Sequence, residues 1–90
     1  MSPRITINLT AEGELEIWFN EQGRDLLVRE LQQLNKSNEH LHLAPKPMGD
    51  IGLCSRPYRP DDTVLEWGKI LFRTDEWDKQ YYPHVLDDTV

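Results

Sequence analysis

Residues 4–20 read RITINLTAEGELEIWFN, in which apolar and polar side chains alternate on both sides of a short turn. Such an alternation is typical of half-buried β-strands, because successive side chains of a strand point to opposite faces. Gly13 suits the turn, since glycine readily adopts a positive φ. The segment therefore predicts a hairpin with one apolar face toward the core. Six side chains are predicted on that buried face: Ile5, Ile7, Leu9, Leu15, Ile17 and Phe19.

A helix is predicted over residues 21–35, directly after the hairpin. Asn20 can cap this helix, because an asparagine side chain accepts a hydrogen bond from an unpaired amide of the first turn. Leu27, Leu31 and Leu34 recur at helical spacing and form an apolar stripe. The stripe predicts that the helix packs on one face of the sheet.

Three further strands are predicted at residues 40–43, 51–55 and 64–73, followed by a helical turn at 75–82 that Thr74 can cap. Sequential strands with one helix are typical of an α+β fold. The predicted architecture has two layers: an antiparallel sheet with the element order ββαβββ, one helix packed on one face, and a short C-terminal tail.

The charge balance narrows the class of partner. The chain of 90 residues corresponds to about one domain, placed at residues 1–90. It carries 16 acidic and 10 basic residues, a net charge of −6, and residues 61–90 alone hold eight acids against three bases. Phosphate backbones and anionic membranes bind through Lys and Arg and are repelled by a negative field. The charge therefore disfavours direct nucleic-acid binding and membrane binding, and it allows a basic protein partner.

Cysteine usage and hydropathy indicate the compartment. Cys54 is the only cysteine, so the chain needs no oxidising environment for an intrachain disulfide. The N-terminal residues form no apolar signal-peptide core, and no run approaches the roughly 18 apolar residues of a membrane span. These features predict a cytoplasmic protein.

No motif in the chain predicts catalysis or a cofactor. His40 and His42 share one face of their predicted strand and could contribute to a zinc site with Cys54 or His84, but no Cys-x-x-Cys or His-Glu-x-x-His pattern accompanies them. Cys54 follows an apolar leucine and is more typical of a small buried hydrophobe than of a nucleophile. The paired carboxylates fall in predicted loops, where little burial would shift their pKa values. We expect a non-enzymatic protein with no catalytic residues, no metal site and no cofactor.

The open face of the predicted sheet is the first candidate for partner binding. The Trp18 side chain is predicted on the face of its strand away from the apolar residues, together with Glu14 and Glu16. His40 and His42 are predicted on the same open face. Tryptophan is a favoured anchor in protein interfaces. The predicted contact residues on this face are Glu14, Glu16 and Trp18.

The acidic, aromatic-rich C-terminal segment is the second candidate. Acidic groups around large aromatic rings suit a basic surface, because charges steer the encounter and rings anchor the complex. The alternative is that the acids are a solvated face and that Trp77, Tyr81 and Tyr82 fold back over the Trp18 face as a second small core. The predicted contact residues in this segment are Asp61, Asp62, Glu66, Trp77 and Asp78.

Residues 20–27, NEQGRDLL, and residues 40–43, HLHL, resemble the immunity protein 32 family of bacterial polymorphic toxin systems. The similar pattern is an Asn and a Gly that open a leucine-rich helix, followed by a His-hydrophobic-His-Leu strand, and it covers about residues 14–43. The segment from Ser55 onward has no counterpart in that pattern. The resemblance implies a protein that binds a cognate toxin made by the same cell and blocks it without catalysis.

The net charge, the open face of the predicted sheet and the resemblance to immunity proteins lead to one main functional hypothesis. The chain is predicted to be a cytoplasmic, non-enzymatic binding protein that neutralises a cognate toxin with a basic surface, such as a nuclease. A second hypothesis is a small structural or regulatory subunit that acts through homo- or hetero-association, including a homodimer. A third is a metal or small-ligand module that uses His40, His42 and Cys54.

Overall fold

The computed structural model describes residues 2–88, and these form two small β-sheets, two α-helices and a final 3-10 helix. Met1, Thr89 and Val90, which the predicted domain includes, lie outside the described residues. The predicted α+β class is confirmed. The helices are α1 (Glu21–Gln32) and α2 (Asp75–Tyr81), with the 3-10 helix at Pro83–Asp88. The strands are β1 (Ile5–Leu9), β2 (Leu15–Phe19), β3 (His40–Pro45), β4 (Ile51–Leu53), β5 (Thr63–Leu65) and β6 (Gly68–Leu71).

The strands divide into two three-stranded sheets instead of one continuous antiparallel sheet. The first sheet has the order β2-β1-β5 and is antiparallel throughout. The second sheet has the order β4-β3-β6, and its β3–β4 pair is parallel, which corrects the expectation of a wholly antiparallel arrangement. The chain after β3 folds back along that strand, and the Asp50 amide donates to the His42 carbonyl at 3.0 Å. The chain thus returns to the level of His42 before β4 begins, and β4 then runs in the same direction as β3.

The single strand predicted at residues 64–73 is instead two strands. β5 pairs with β1 in the first sheet, and β6 pairs with β3 in the second. Glu66 and Trp67 form the link between them. The β-branched and aromatic residues of 64–73 lie on both sides of this link, so the composition indicated extended chain correctly but not the change of sheet.

The predicted hairpin and both predicted helix caps are confirmed. β1 and β2 pair with Ile5 opposite Phe19 and Leu9 opposite Leu15, and Gly13 has a φ of 88° in the turn. The Asn20 Oδ1 atom accepts from the Gly23 amide at 2.7 Å, and the Thr74 hydroxyl accepts from the Trp77 amide at 3.2 Å. Both helices therefore begin at a side chain that satisfies a first-turn amide.

Gly23 allows α1 to lie directly against the first sheet. A Cβ atom at this position would be 2.5 Å from the Arg4 carbonyl oxygen and 2.9 Å from the Cγ1 atom of Ile5. The absence of a side chain therefore sets the distance between helix and sheet.

The core lies where α1 and the two sheets meet. Its fully buried hydrophobic cluster is Ile5, Leu41, Ile51 and Leu53, and leucines of α1 pack against it. The Cys54 amide donates to the Ile5 carbonyl at 2.8 Å and joins the end of β4 to the start of β1. Both sheets contribute residues to this core, but the first sheet contributes residues from only one of its ends.

The prediction that the apolar face of the hairpin is buried is therefore wrong for most of the hairpin's length. Ile5 is buried, but the side chains of Leu15, Ile17 and Phe19 are 57%, 52% and 48% exposed. The reason is the position of α1, which begins against Ile5 and Phe19 and packs on the core shared with the second sheet. The rest of the hairpin's apolar face stays uncovered.

Candidate binding site

The two faces of the first sheet differ in chemistry and in what covers them. On one face, Leu9 lies opposite Leu15, and Ile7 lies between Ile17 and Leu65. We call the exposed side chains on this side the apolar face; they are Leu9, Leu15, Ile17, Phe19 and Leu65. A contiguous apolar surface of this kind on a small chain commonly marks an interaction site.

The opposite side of the first sheet is partly covered by the segment 55–62. The Tyr58 ring stacks on the Trp18 indole, with the ring centroids 4.1 Å apart and an angle of 13° between the planes. Trp18 remains 36% exposed. The predicted open face is therefore closed in part, and by Tyr58 rather than by the C-terminal tail.

Arg59 attaches the segment 55–62 to β2 by an ion pair. Its Nη2 atom donates to both carboxylate oxygens of Glu16, at 2.6 and 2.7 Å, and its Nη1 atom lies 3.3 Å from Asp62 Oδ2. The guanidinium carbon also lies 5.7 Å from the Trp18 ring centroid. The bond from Arg59 lowers the pKa of Glu16 below its ordinary value, and the bond to Glu16 raises the pKa of Arg59.

Asn8 is the buried centre of this polar cluster. Its Nδ2 atom donates to Glu16 Oε1 at 3.3 Å and to Asp62 Oδ2 at 2.5 Å. Within the described residues its Oδ1 atom is buried without a hydrogen-bond partner. Trp18 Nε1 donates to Glu16 Oε1 at 3.2 Å. Glu16 and Asp62 are thus held by internal partners and contribute less free negative charge than the sequence suggested.

The structure brings together only some of the predicted contact residues. Glu16, Trp18 and Asp62 meet in the cluster around Arg59. Glu14 and Asp61 are exposed at the ends of segments that flank this cluster. The remaining three lie on other elements: Glu66 in the β5–β6 link, and Trp77 and Asp78 on α2.

Trp77 belongs to a separate aromatic group. Its ring centroid lies 4.6 Å from that of Tyr81 and 5.4 Å from that of Tyr82, and the Arg73 guanidinium lies 4.5 Å from its ring centroid. The Glu76 amide and the Thr74 hydroxyl lower the pKa of the Glu76 carboxyl at the start of α2. The predicted tail aromatics pack mainly on one another.

The two strand histidines lie in the second sheet, so the expectation that they share a face with Trp18 is wrong. Their rings are in edge contact at 4.9 Å, and His42 Nδ1 lies 3.5 Å from Asp50 Oδ2. Cys54 follows the far end of β4, away from Asp50. Across the described part of the chain, no three His, Cys, Asp or Glu side chains are grouped so as to hold a metal ion.

Three residues that make these two surfaces distinct were not predicted from the sequence: Asn8, Tyr58 and Arg59. Tyr58 and Arg59 nevertheless stand between two prolines that stiffen their segment. The exposure of the apolar face follows from the structure, because the 12-residue helix α1 is too small to cover three strands and a second sheet at once.

Two further observations bear on the class of protein. In residues 2–88, no helix combines the length and the apolar composition that crossing a membrane requires. Comparisons of the chain with protein-family models, with curated proteins and with solved structures found no match. The candidate site therefore depends on the geometry of the first sheet, and the immunity-protein resemblance of residues 14–43 stays a prediction.

Proposed function

We propose that this chain is a non-enzymatic binding protein that neutralises a partner protein by docking it on the apolar face. The observation that carries the proposal is the exposure of Leu15, Ile17 and Phe19 on one side of an edge strand. Leaving large apolar side chains in water forgoes about 25 cal/mol for each Å² that could be buried. A partner that covers them gains that free energy on binding.

The partner best matched to the rest of the surface is a basic protein, such as a toxin with a basic active-site surface. The net charge of −6 favours approach of a cation-rich surface. Glu14 and Asp61 are exposed carboxylates beside the first sheet. In this arrangement the apolar face anchors the complex and the free acids steer its formation. The resemblance to immunity proteins supports the same function, in the cytoplasm of the cell that makes the toxin.

Affinity capture from the native organism, at low and moderate salt, tests this function with three forms of the chain. The wild type should capture one stoichiometric basic protein, and Ile17→Lys should lose it because a charge stands at the centre of the apolar face. Val28→Lys is the matched control, since Val28 is an exposed apolar residue on α1. Retention of the partner by Ile17→Lys, in folded protein, would contradict the proposal.

Self-association is the second candidate, and the free edge of β2 favours it. Among the described residues β2 pairs only with β1, so its outer backbone groups are open to another strand. Edge pairing between two copies would also place the two apolar faces side by side in one continuous sheet. Sedimentation of the purified chain over a range of concentrations measures this directly. A dimer that Ile17→Lys dissociates supports self-association, and a monomer at every concentration excludes it.

A further inference from the structure

A cleft of about 660 Å³ lies between the start of β1, the end of β4 and the segment that follows it. Three cations line it: Arg4, Lys46 and Arg56. No acidic side chain of the described residues is part of its lining. A cationic cleft of this kind is unexpected in a chain with a net charge of −6, and it lies away from the apolar face because its β1 residue, Thr6, points to the other side of the sheet.

The three cations are not neutralised by the chain itself. Arg24, Arg59 and Arg73 each lie beside a carboxylate, whereas within residues 2–88 Arg4, Lys46 and Arg56 form no ion pair. Like charges gathered at one concave surface reinforce one another's field and concentrate anions there. Repulsion among the three cations destabilises the protein without a ligand, and a bound anion offsets this repulsion.

The walls of the cleft are fixed by bonds that leave the two guanidinium groups available. The Arg4 amide donates to Asn20 Oδ1 at 3.0 Å, and its carbonyl accepts from the Asn20 amide at 3.1 Å, so the main chain is held while the guanidinium is not. The Lys46 ammonium donates to the Pro3 carbonyl. The Tyr58 ring is fixed by its stack on Trp18. The site is therefore organised before any ligand arrives.

We propose that this cleft binds a small phosphate-bearing anion. Arginine guanidinium groups match phosphate oxygens with two parallel hydrogen bonds, and the cleft offers two of them with a lysine. Thr6, Ser55 and Tyr58 are also among the lining residues, and a hydroxyl group can donate a further hydrogen bond to a phosphate oxygen. The volume falls within the range of roughly 300–1,000 Å³ that small-molecule sites occupy. This site goes beyond the proposed function, because it takes an anion on the side of the sheet opposite the apolar face.

Pyrophosphate titrated into the purified chain, followed by calorimetry, tests the site. The wild type should bind it one-to-one, and Arg4→Gln and Arg56→Gln should each weaken binding by about tenfold, or about 1.4 kcal/mol, because each removes a charged hydrogen-bond donor to the phosphate oxygens. Arg29→Gln removes the same charge from the last turn of α1, outside the cleft lining, and should leave the affinity unchanged. Equal weakening in Arg29→Gln would show only a nonspecific charge effect and would overturn the proposal, as would absence of saturable binding by the wild type.

Cys54 supplies a second readout that reports the location of the ligand. It lines the cleft and is the only cysteine, so a maleimide reagent labels this position alone. Saturating pyrophosphate should slow the labelling of the wild type and have less effect on Arg56→Gln at the same concentration. Labelling at the same rate with and without bound pyrophosphate would place the anion elsewhere and contradict the assignment.

Discussion

The ring of Tyr58 lies flat on the indole of Trp18, with centroids 4.1 Å apart. The two residues are 40 positions apart in the sequence, and their contact joins the segment 55–62 to the edge strand β2. Arg59 and Asp62 continue the same attachment through Glu16 and Asn8. One side of the first sheet is thereby partly covered by chain from the same protein, while the apolar face on the other side stays exposed.

Trp18→Ala should destabilise the fold by about 2 kcal/mol, because it removes a large, partly buried ring and its stacking on Tyr58. Urea unfolding followed by circular dichroism measures the change in the free energy of unfolding. Trp67→Ala is the control, since Trp67 is 69% exposed. Its effect should stay within about 0.5 kcal/mol, as for most surface substitutions. Equal losses in the two variants would contradict a structural role for the stack.

The bond between Glu16 and Arg59 should make stability depend on pH in the acid range. The pKa of Glu16 is lowered below its ordinary value of 4.5 in the folded chain, so its contribution is complete above 4.5 and is lost as the pH falls through the lowered value. Unfolding midpoints measured between about pH 3 and pH 6 report this loss. Glu16→Gln should flatten that part of the profile. Glu14→Gln is the control, because the bonds of Arg59 go to Glu16 and Asp62.

Gly23→Ala should destabilise the protein although alanine is the better helix former. The gain in helix propensity is up to about 1 kcal/mol, but the new Cβ atom would lie 2.5 Å from the backbone oxygen of Arg4. Moving α1 away from β1 to relieve this overlap should cost about 1–3 kcal/mol. Thermal unfolding of the variant measures the balance. Gln32→Ala, at the exposed end of α1, should leave the transition unchanged, and a stabilised Gly23→Ala would show that α1 is not held by this contact.

Two leucine-to-alanine substitutions should differ sharply in their effect on stability. Leu53 is 1% exposed and belongs to the core, so Leu53→Ala should cost about 2–5 kcal/mol. Leu15 is 57% exposed on the apolar face, so Leu15→Ala should cost less than about 1 kcal/mol in the absence of a partner. Chemical denaturation of both variants provides the comparison. A large loss for Leu15→Ala would mean that the face is covered in the free protein.

The sequence was informative wherever the determining interactions are local. The alternation of residues 4–20 correctly predicted the hairpin, and Asn20 and Thr74 correctly marked the starts of both helices. A turn or a cap involves residues a few positions apart, so its chemistry can be read directly from the chain.

The errors concern which element covers which surface. The alternation of β2 correctly placed Leu15 and Ile17 on one side, but it carried no information on whether α1 reaches them. The division of residues 63–71 between two sheets likewise depends on pairing with β1 and β3, far away in the sequence. The cluster of Asn8, Glu16 and Asp62 joins residues up to 54 positions apart, which no local pattern indicates.

The position of α1 at one end of the hairpin also affects how this chain can evolve. Since the side chains of the apolar face contribute little to the core, mutations there escape most of the selection for folding. The side chains of the face can therefore change while Ile5, Ile51 and Leu53 preserve the scaffold. The residues that make up the apolar face and the residues that hold the fold together are separate sets, and each can change at its own rate.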